Sequence, residues 1–221
     1  MCGRYLLDDE AYSDILMILN ELNAAKKIYS DDNFSHASTI KASNIVEFVE
    51  GNNFPVGEIF PTYNVPVIEK EGITSVKWGF PHWKNSGVII NARSETASEK
   101  SMFKKPLRQR RCIVPSGGFY EWSRTGGSGR GKKLKDKYLF TYPHTHMIYM
   151  GGIVNSFRDT NGEDYSAFVI LTTAANDSVA SIHDRMPVLL QKDEFHHWLT
   201  DEGFMYAAIN RTAEALLPKI A

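Results

Sequence analysis

The sequence predicts one α+β domain with a mixed, mostly antiparallel sheet and helices packed outside it. Three observations carry this expectation. Short β-like runs separated by glycine-bearing turns fill the stretch from residue 63 to residue 173, helical periodicity is concentrated towards the two ends, and strands and helices do not alternate in the β-α-β manner. At 221 residues, with 43% hydrophobic and 23% charged residues, the chain is long enough for one well-cored domain and ordinary for a globular protein. No linker or internal repeat divides it, so residues 1–221 are expected to be a single domain.

Taken in order, residues 8–25 have the spacing of an amphipathic helix. Tyr12, Ile15, Leu16, Leu19 and Leu22 share one face, and Asp8 is placed to cap it. Residues 29–62 are rich in Ser, Asp, Asn and Gly around a short apolar island at Ile45–Val49, and read as a polar, insertion-like excursion. Strands are expected at Val65–Glu69, Thr74–Trp78 and Val88–Asn91. A helix should begin at Thr96, where Thr96-Ala97-Ser98-Glu99 has capping-box spacing, and end near Pro106. Further strands are expected at Arg111–Val114, Phe119–Trp122, Tyr138–Tyr142, Met147–Val154 and Ala167–Thr173, followed by helices over about 192–199 and 203–217.

Composition narrows the function classes. No apolar run has the length of a membrane-spanning helix and no signal peptide precedes Cys2, so a cytoplasmic protein is expected. Two cysteines, Cys2 and Cys112, make no disulfide framework and suit a reducing compartment. The net charge of -1 conceals an asymmetry. Residues 93–137 hold 13 Lys and Arg against 4 Asp and Glu, a net +9, which suggests one basic face on an otherwise acidic protein. A set of solvated loops and helix faces would give the same count.

The residues with most chemical potential begin at the N-terminus. If Met1 is removed, Cys2 carries both a thiol and a free α-amine. An α-amine titrates near ~7.7–8.0, against ~10.4 for lysine, so a useful fraction is neutral and nucleophilic at pH 7. Such an amine meeting an aldehyde forms a Schiff base, which the neighbouring thiol can close to a thiazolidine. Many chains also begin Met-Cys by chance. Three later stretches carry further candidates. In Ile90-Asn91-Ala92-Arg93-Ser94-Glu95-Thr96, Asn91 can hold an amine or a carbonyl and Arg93 a phosphate, although strand-end residues leading into a helix read the same way. In Gly118-Phe119-Tyr120-Glu121-Trp122, a carboxylate among aromatic residues suits acid or base work if it is desolvated; a solvent-facing strand glutamate is the alternative. In Ile182-His183-Asp184-Arg185-Met186-Pro187, His183 stands at a helix-to-loop junction as a proton shuttle or a capping residue. The histidine pairs His144/His146 and His196/His197 lack partners at ligand spacing, so no metal and no cofactor are expected. Cys112 and Met147–Met150 read as core.

These stretches, in this order, resemble the SOS response-associated peptidase (SRAP) family of abasic-site processing proteins. The resemblance rests on Met1-Cys2-Gly3-Arg4-Tyr5, Tyr63-Asn64-Val65, Trp78-Gly79-Phe80 with Pro81 and Trp83, the Asn91 and Glu121 stretches, Met102-Phe103-Lys104, and Ile182 to Pro187. It implies a barrel-like sheet core and a monomer that recognises abasic sites in single-stranded DNA, forming a covalent thiazolidine crosslink through Cys2 after Met1 removal. By the same resemblance Asn91 orients the new N-terminus, Glu121 handles protons in Schiff-base formation and His183 assists ring opening and reversal. Arg4, Arg93 and Arg185 hold phosphates, Asn64 contacts DNA and Trp83 offers a stacking platform. Thr62 stands where the family has arginine, Pro66-Val67 replaces its Ala-Pro, and the chain is expected to lack the family's final strand. Two other classes remain open at this point: a Cys2-dependent thiol peptidase or autoprotease, and a non-enzymatic single-stranded DNA-binding protein.

Overall fold

A computed structural model describes residues 2–29, 54–82, 86–123 and 135–221. Five strands close a barrel. They are β3 (Asn64–Glu69), β4 (Gly72–Trp78), β8 (Arg111–Ser116), β11 (Ile148–Arg158) and β12 (Asp164–Ala174). β3 pairs antiparallel with β4 and with β8, β8 with β11, and β11 with β12; the ring closes through a parallel pairing of β12 with β4. Closure removes the edges that such strands would otherwise expose. It also explains why β8, Arg-Cys-Ile-Val-Pro-Ser, is buried at every position rather than at alternate ones. The fold class is therefore α+β with a barrel-like, mostly antiparallel sheet core in one domain.

A second sheet has five strands, in the order β15 (Leu217–Ile220), β10 (Lys137–Thr141), β9 (Gly118–Trp122), β1 (Arg4–Leu7) and β2 (Gly57–Ile59). β1 was not foreseen, because four residues are too few for periodicity to register. It lies between β9 and β2, with Arg4 opposite Tyr120 and Tyr5 opposite Ile59. Three short strands complete the site-bearing region: β7 (Asn91–Arg93) and β13 (Arg185–Pro187) both pair with β12, and β14 (Leu189–Leu190) pairs with β11. β5 (Phe80–Pro81) and β6 (Val88–Ile89) make a small hairpin.

The first helix, α1 (Asp9–Tyr29), is capped as its sequence suggests, with the Ala11 N–H donating to Asp8 Oδ1 at 3.0 Å. Tyr12, Ile15 and Ile18 are buried against the core. The helix expected from Thr96 to Pro106 is instead two: α2 (Ser94–Ala97) and α3 (Ser101–Gln109). The chain leaves β7 already in extended geometry at Arg93 and turns helical at Ser94, so Thr96 and Glu99 do not form a cap there. α3 runs through a buried Pro106 and ends with Arg110 N–H donating to Pro106 O at 2.8 Å.

α4 (Asp177–Ala180), capped by Asn176, precedes His183, so the expected helix-to-loop junction is present. Near the C-terminus, α5 (Phe195–Thr200) follows a short 3-10 turn, and α6 spans Glu202–Asn210. The expectation of a helix reaching 217 and no final strand is corrected by β15, whose Leu217–Ile220 pairs antiparallel with β10 over Tyr138 to Thr141. Its residues are exposed, which is why they lack the alternation by which a half-buried strand is recognised. Of the polar stretch 29–62, residues 30–53 lie outside the described residues; within the remainder, β2 and the buried side chains of Phe54 and Ile59 tie it to the domain.

Large aromatic residues fill the core. Trp78 is wholly buried, 5.2 Å from Tyr5 and 6.3 Å from Phe168 between ring centroids, and its indole N–H donates to Ile90 O at 3.1 Å. That bond fixes the strand whose next residue is Asn91. Cys112 is buried as expected, as are Met147 and Met150. No helix among the described residues is long and apolar enough to cross a membrane.

Candidate active site

The chain brings Cys2, Asn91, Glu121 and His183 together by neighbouring strands rather than by proximity in sequence. β9 lies beside β1 and so sets Glu121 next to the N-terminal segment. The parallel ladder of β7 on β12 pairs Asn91 with Ile170, and the antiparallel ladder of β13 on the same strand pairs Arg185 with Ala174. β12 thereby brings Asn91 and the His183 loop to one end of the barrel.

Asn91 Nδ2 donates to Cys2 O at 2.9 Å. Its Oδ1, also buried, accepts no hydrogen bond among the described residues, which leaves an acceptor beside the N-terminal segment. Cys2 is wholly buried and its thiol donates weakly to Arg4 O at 3.5 Å. Burial, and then the Glu121 carboxylate, push the thiol well above its ordinary value, so its resting form is the neutral S–H. Glu121 is itself nearly inaccessible, at 2%, and burial raises its carboxyl against the opposing pull of the positive amino terminus. His183 Nε2 lies 3.8 Å from Glu121 Oε2. On the other side of the ring, Nδ1 accepts from the Arg185 backbone N–H at 3.0 Å, with Asp184 Oδ1 at 3.2 Å. A buried carboxylate paired with an imidazole across one small space is an arrangement that can move protons near neutral pH.

The cationic residues divide into several groups. Arg4 opens β1, two residues after Cys2: its guanidinium donates to Gly3 O at 2.7 Å, stands 3.6 Å from Glu58 and lies over the Phe60 ring at 4.0 Å. Arg93 is exposed and, with Asn91, lines a groove of about 460 Å³ whose other walls are Ile89, Lys100, Ser101, Met102 and Phe103. Lys104, Lys105 and Arg108 line the next groove along α3, about 270 Å³. Of the +9 segment, Lys104 and Lys105 are exposed on α3, while several of its other charges are spent elsewhere. Arg111 is buried and donates to the carbonyls of Leu107, Arg108 and Trp198, and Arg108 and Arg110 pair with Glu202 and Glu69.

One expected contact stands apart. Asn64 is exposed and lines a different groove, with Ser75, Lys77, Asp159, Glu163, Tyr165 and Ser166. Trp83 lies outside the described residues. Arg185 is near the site, but its guanidinium is already engaged by Glu95, through Nη1 to Oε1 at 2.5 Å and Nη2 to Oε2 at 2.8 Å, and by Thr172 O. Sequence reasoning assigned no part to Glu95, Thr172, Glu58 or Phe60. Glu95 and Arg185 are 90 positions apart, and no periodicity reports such a pair. Among the described residues no cluster of His, Cys, Asp and Glu could hold a metal ion.

Fold and site together define a barrel protein that builds a buried cysteine at its second position into a cluster of an amide, a buried carboxylate and an imidazole. The chain belongs to the SOS response associated peptidase (SRAP) family, whose model matches residues 1–217. Among curated proteins it is 34% identical over 177 residues to the abasic site processing protein YoqW of Bacillus subtilis, covering 74% of this chain and 75% of that one. It is 31% identical over 128 residues to the abasic site processing protein YedK of Escherichia coli, covering 58% and 54%. A crystal structure of a Bacteroides thetaiotaomicron protein has the same fold, with a TM-score of 0.63 at 24% identity over 74% of this chain and 77% of that one. A Bordetella bronchiseptica protein gives 0.64 at 21% identity over 76% and 88%.

Proposed function

We propose that this protein processes abasic sites in single-stranded DNA by covalent capture, using Cys2 as the N-terminal residue after removal of Met1. The relatives named as abasic site processing proteins support the substrate class. The observation that carries the chemistry is the 2.9 Å bond from Asn91 Nδ2 to Cys2 O, which holds the backbone of the would-be N-terminal residue beside Glu121 and His183.

The reaction begins with the ring-opened sugar, which presents an aldehyde. The Cys2 α-amine adds to that carbon and the carbinolamine loses water to give a Schiff base. Glu121 takes and returns the protons this exchange requires, and His183 supplies or accepts the proton as the sugar ring opens. The Cys2 sulfur then adds to the imine carbon and the thiol proton passes to the nitrogen, closing a thiazolidine with net loss of one water. The amine acts first because the neutral, buried thiol is a poor nucleophile until the imine is beside it. The same observation weighs against a thiol peptidase, whose cysteine needs a depressed value to be ionised.

The DNA strand is held by charge. Arg93 with Lys100, in the groove that Asn91 also lines, are the cations available to its phosphates, α3 extends that path through Lys104 and Lys105, and Arg4 joins them if DNA draws it from Glu58. The deciding experiment incubates Met1-processed protein with a single-stranded oligonucleotide carrying one abasic site. A heat-stable adduct that requires Cys2 and the lesion is expected. No adduct, or an undiminished adduct with Cys2→Ala, refutes the proposal.

A further inference from the structure

Arg185 and Glu95 are placed where neither serves as an open cation site. The Arg185 side chain is only 13% exposed, and both its terminal nitrogens are bonded to the Glu95 carboxylate in a fork, while Nη2 also reaches the buried Thr172 through its carbonyl. An arginine held in this way has two fixed planes of contact and little freedom to follow a mobile phosphate. The hydrogen bonds donated by Arg185 hold the Glu95 carboxyl below its ordinary value, so Glu95 is ionised at neutral pH.

The backbone of the same residue holds the imidazole. Arg185 N–H donates to His183 Nδ1 at 3.0 Å, a contact that favours the neutral tautomer with its proton on Nε2. That nitrogen is the one 3.8 Å from Glu121 Oε2. When the ring gains a second proton, Asp184 Oδ1 at 3.2 Å and Arg185 O at 3.3 Å are there to receive it. The loop carrying the ring is fixed at its start by His183 N–H donating to Val179 O at 2.9 Å. At its end it is fixed by β13 on β12 and by the Arg185 fork on α2. α2 itself begins immediately after Arg93, on the strand that carries Asn91.

We infer that Glu95 and Arg185 form a clasp that positions His183, tying the strand bearing Asn91 to the loop bearing the imidazole. Glu95 and Arg185 are positioning residues, and Arg185 contributes to the chemistry through the orientation of His183. The inference accepts the covalent-capture reading for its kinetic arm alone.

Two conservative variants test it. Glu95→Gln keeps shape and removes the charge, and Arg185→Lys keeps the charge and removes the fork. Adduct formation is measured against increasing concentrations of the abasic oligonucleotide, together with equilibrium binding of an oligonucleotide carrying a tetrahydrofuran analogue, which has no aldehyde. A displaced imidazole is expected to slow the saturated rate by about tenfold or more in both variants. Half-saturation and tetrahydrofuran-DNA affinity should stay within about twofold, because no phosphate ligand has been lost. In 15N spectra of the DNA-free protein, the His183 ring should change from one dominant tautomer, with Nδ1 unprotonated, to an average of two. If Glu95→Gln instead tightens tetrahydrofuran-DNA binding at an unchanged saturated rate, Arg185 is a phosphate ligand that Glu95 restrains, and the inference is overturned. Unaltered His183 nitrogen shifts overturn it as well. Should the wild type form no adduct, covalent capture fails while the nitrogen spectra still decide the clasp.

Discussion

Asn91 Nδ2 donates to the carbonyl of Cys2 at 2.9 Å across 89 positions of sequence. The bond fixes the backbone carbonyl, and with it the direction of the α-amine and the side chain, without touching either reacting group. An orienting contact of this kind should matter to rate more than to stability. Asn91→Ala is expected to slow adduct formation by about 10- to 100-fold at saturating DNA, with little change in melting temperature. Single-turnover kinetics beside thermal melts check both parts; a variant that reacts at the wild-type rate rules out the orienting role.

The two-step chemistry predicts different failures for the two halves of Cys2. Cys2→Ser keeps the α-amine and loses the sulfur, so it should form an imine that does not survive heating unless a hydride reductant is added during the incubation. A protein retaining Met1 should form no adduct with or without the reductant. Gel analysis with intact-mass measurement of the N-terminus distinguishes the cases.

Glu121 couples activity to pH and to stability in opposite senses. Burial raises its carboxyl above the 4.5 of an ordinary glutamate. Between that ordinary value and the raised one the folded protein binds more protons at this position than the unfolded chain, so its contribution to stability falls as pH rises through that window. As a base, however, it works only when ionised. The adduct rate of the wild type should therefore climb as pH passes through the raised value, and Glu121→Gln should lose that limb. The melting temperature of Glu121→Gln relative to wild type should be more favourable at pH 8 than at pH 5. A melting-temperature difference that does not change with pH contradicts the assignment.

Charge on α3 should appear in the salt dependence of DNA binding. Each phosphate neutralised on a single strand contributes roughly 0.7 to the slope of log affinity against log salt. Lys100→Ala combined with Lys104→Ala is expected to lower the slope by about 1 to 1.5 and to weaken abasic and intact oligonucleotides equally. Titrations at several salt concentrations measure this. An unchanged slope removes α3 from the DNA path.

Gly79 tests the packing that supports the site. Its φ is +118°, and a Cβ there would stand 2.9 Å from Val88 Cβ, while its N–H donates to Phe168 O at 2.8 Å. Gly79→Ala combines a backbone conformation rarely adopted by other residues with a clash against a stiff side chain. A loss of about 1–3 kcal/mol is expected, read by denaturant unfolding.

The sequence by itself determined much of what is local. Alternation and turn residues located the central strands, as at Asn64–Glu69 against the expected Val65–Glu69, although β11 and β12 run on past their expected ends and the expected Val88–Asn91 is divided between β6 and β7. Helical spacing placed Tyr12 and Ile15 on the buried face of α1. The ordered landmarks from Cys2 to Pro187 pointed to the family, and the chemistry of an N-terminal cysteine followed from its functional groups alone. Only the tertiary structure decided which charges remain available. Arg111 lies within the basic segment yet is buried on three carbonyls, and Arg185 is locked to Glu95, whereas Arg93 stays open in a groove. The final strand, Leu217–Ile220, was likewise invisible, because its exposed side chains have no buried face to alternate with. The physical reason is common to all three. Periodicity reports which face of one element meets the core, while the Trp198 carbonyl that takes Arg111, the Glu95 carboxylate that takes Arg185 and the strand that pairs with Leu217–Ile220 all lie roughly 80 to 90 positions away and are set by tertiary packing.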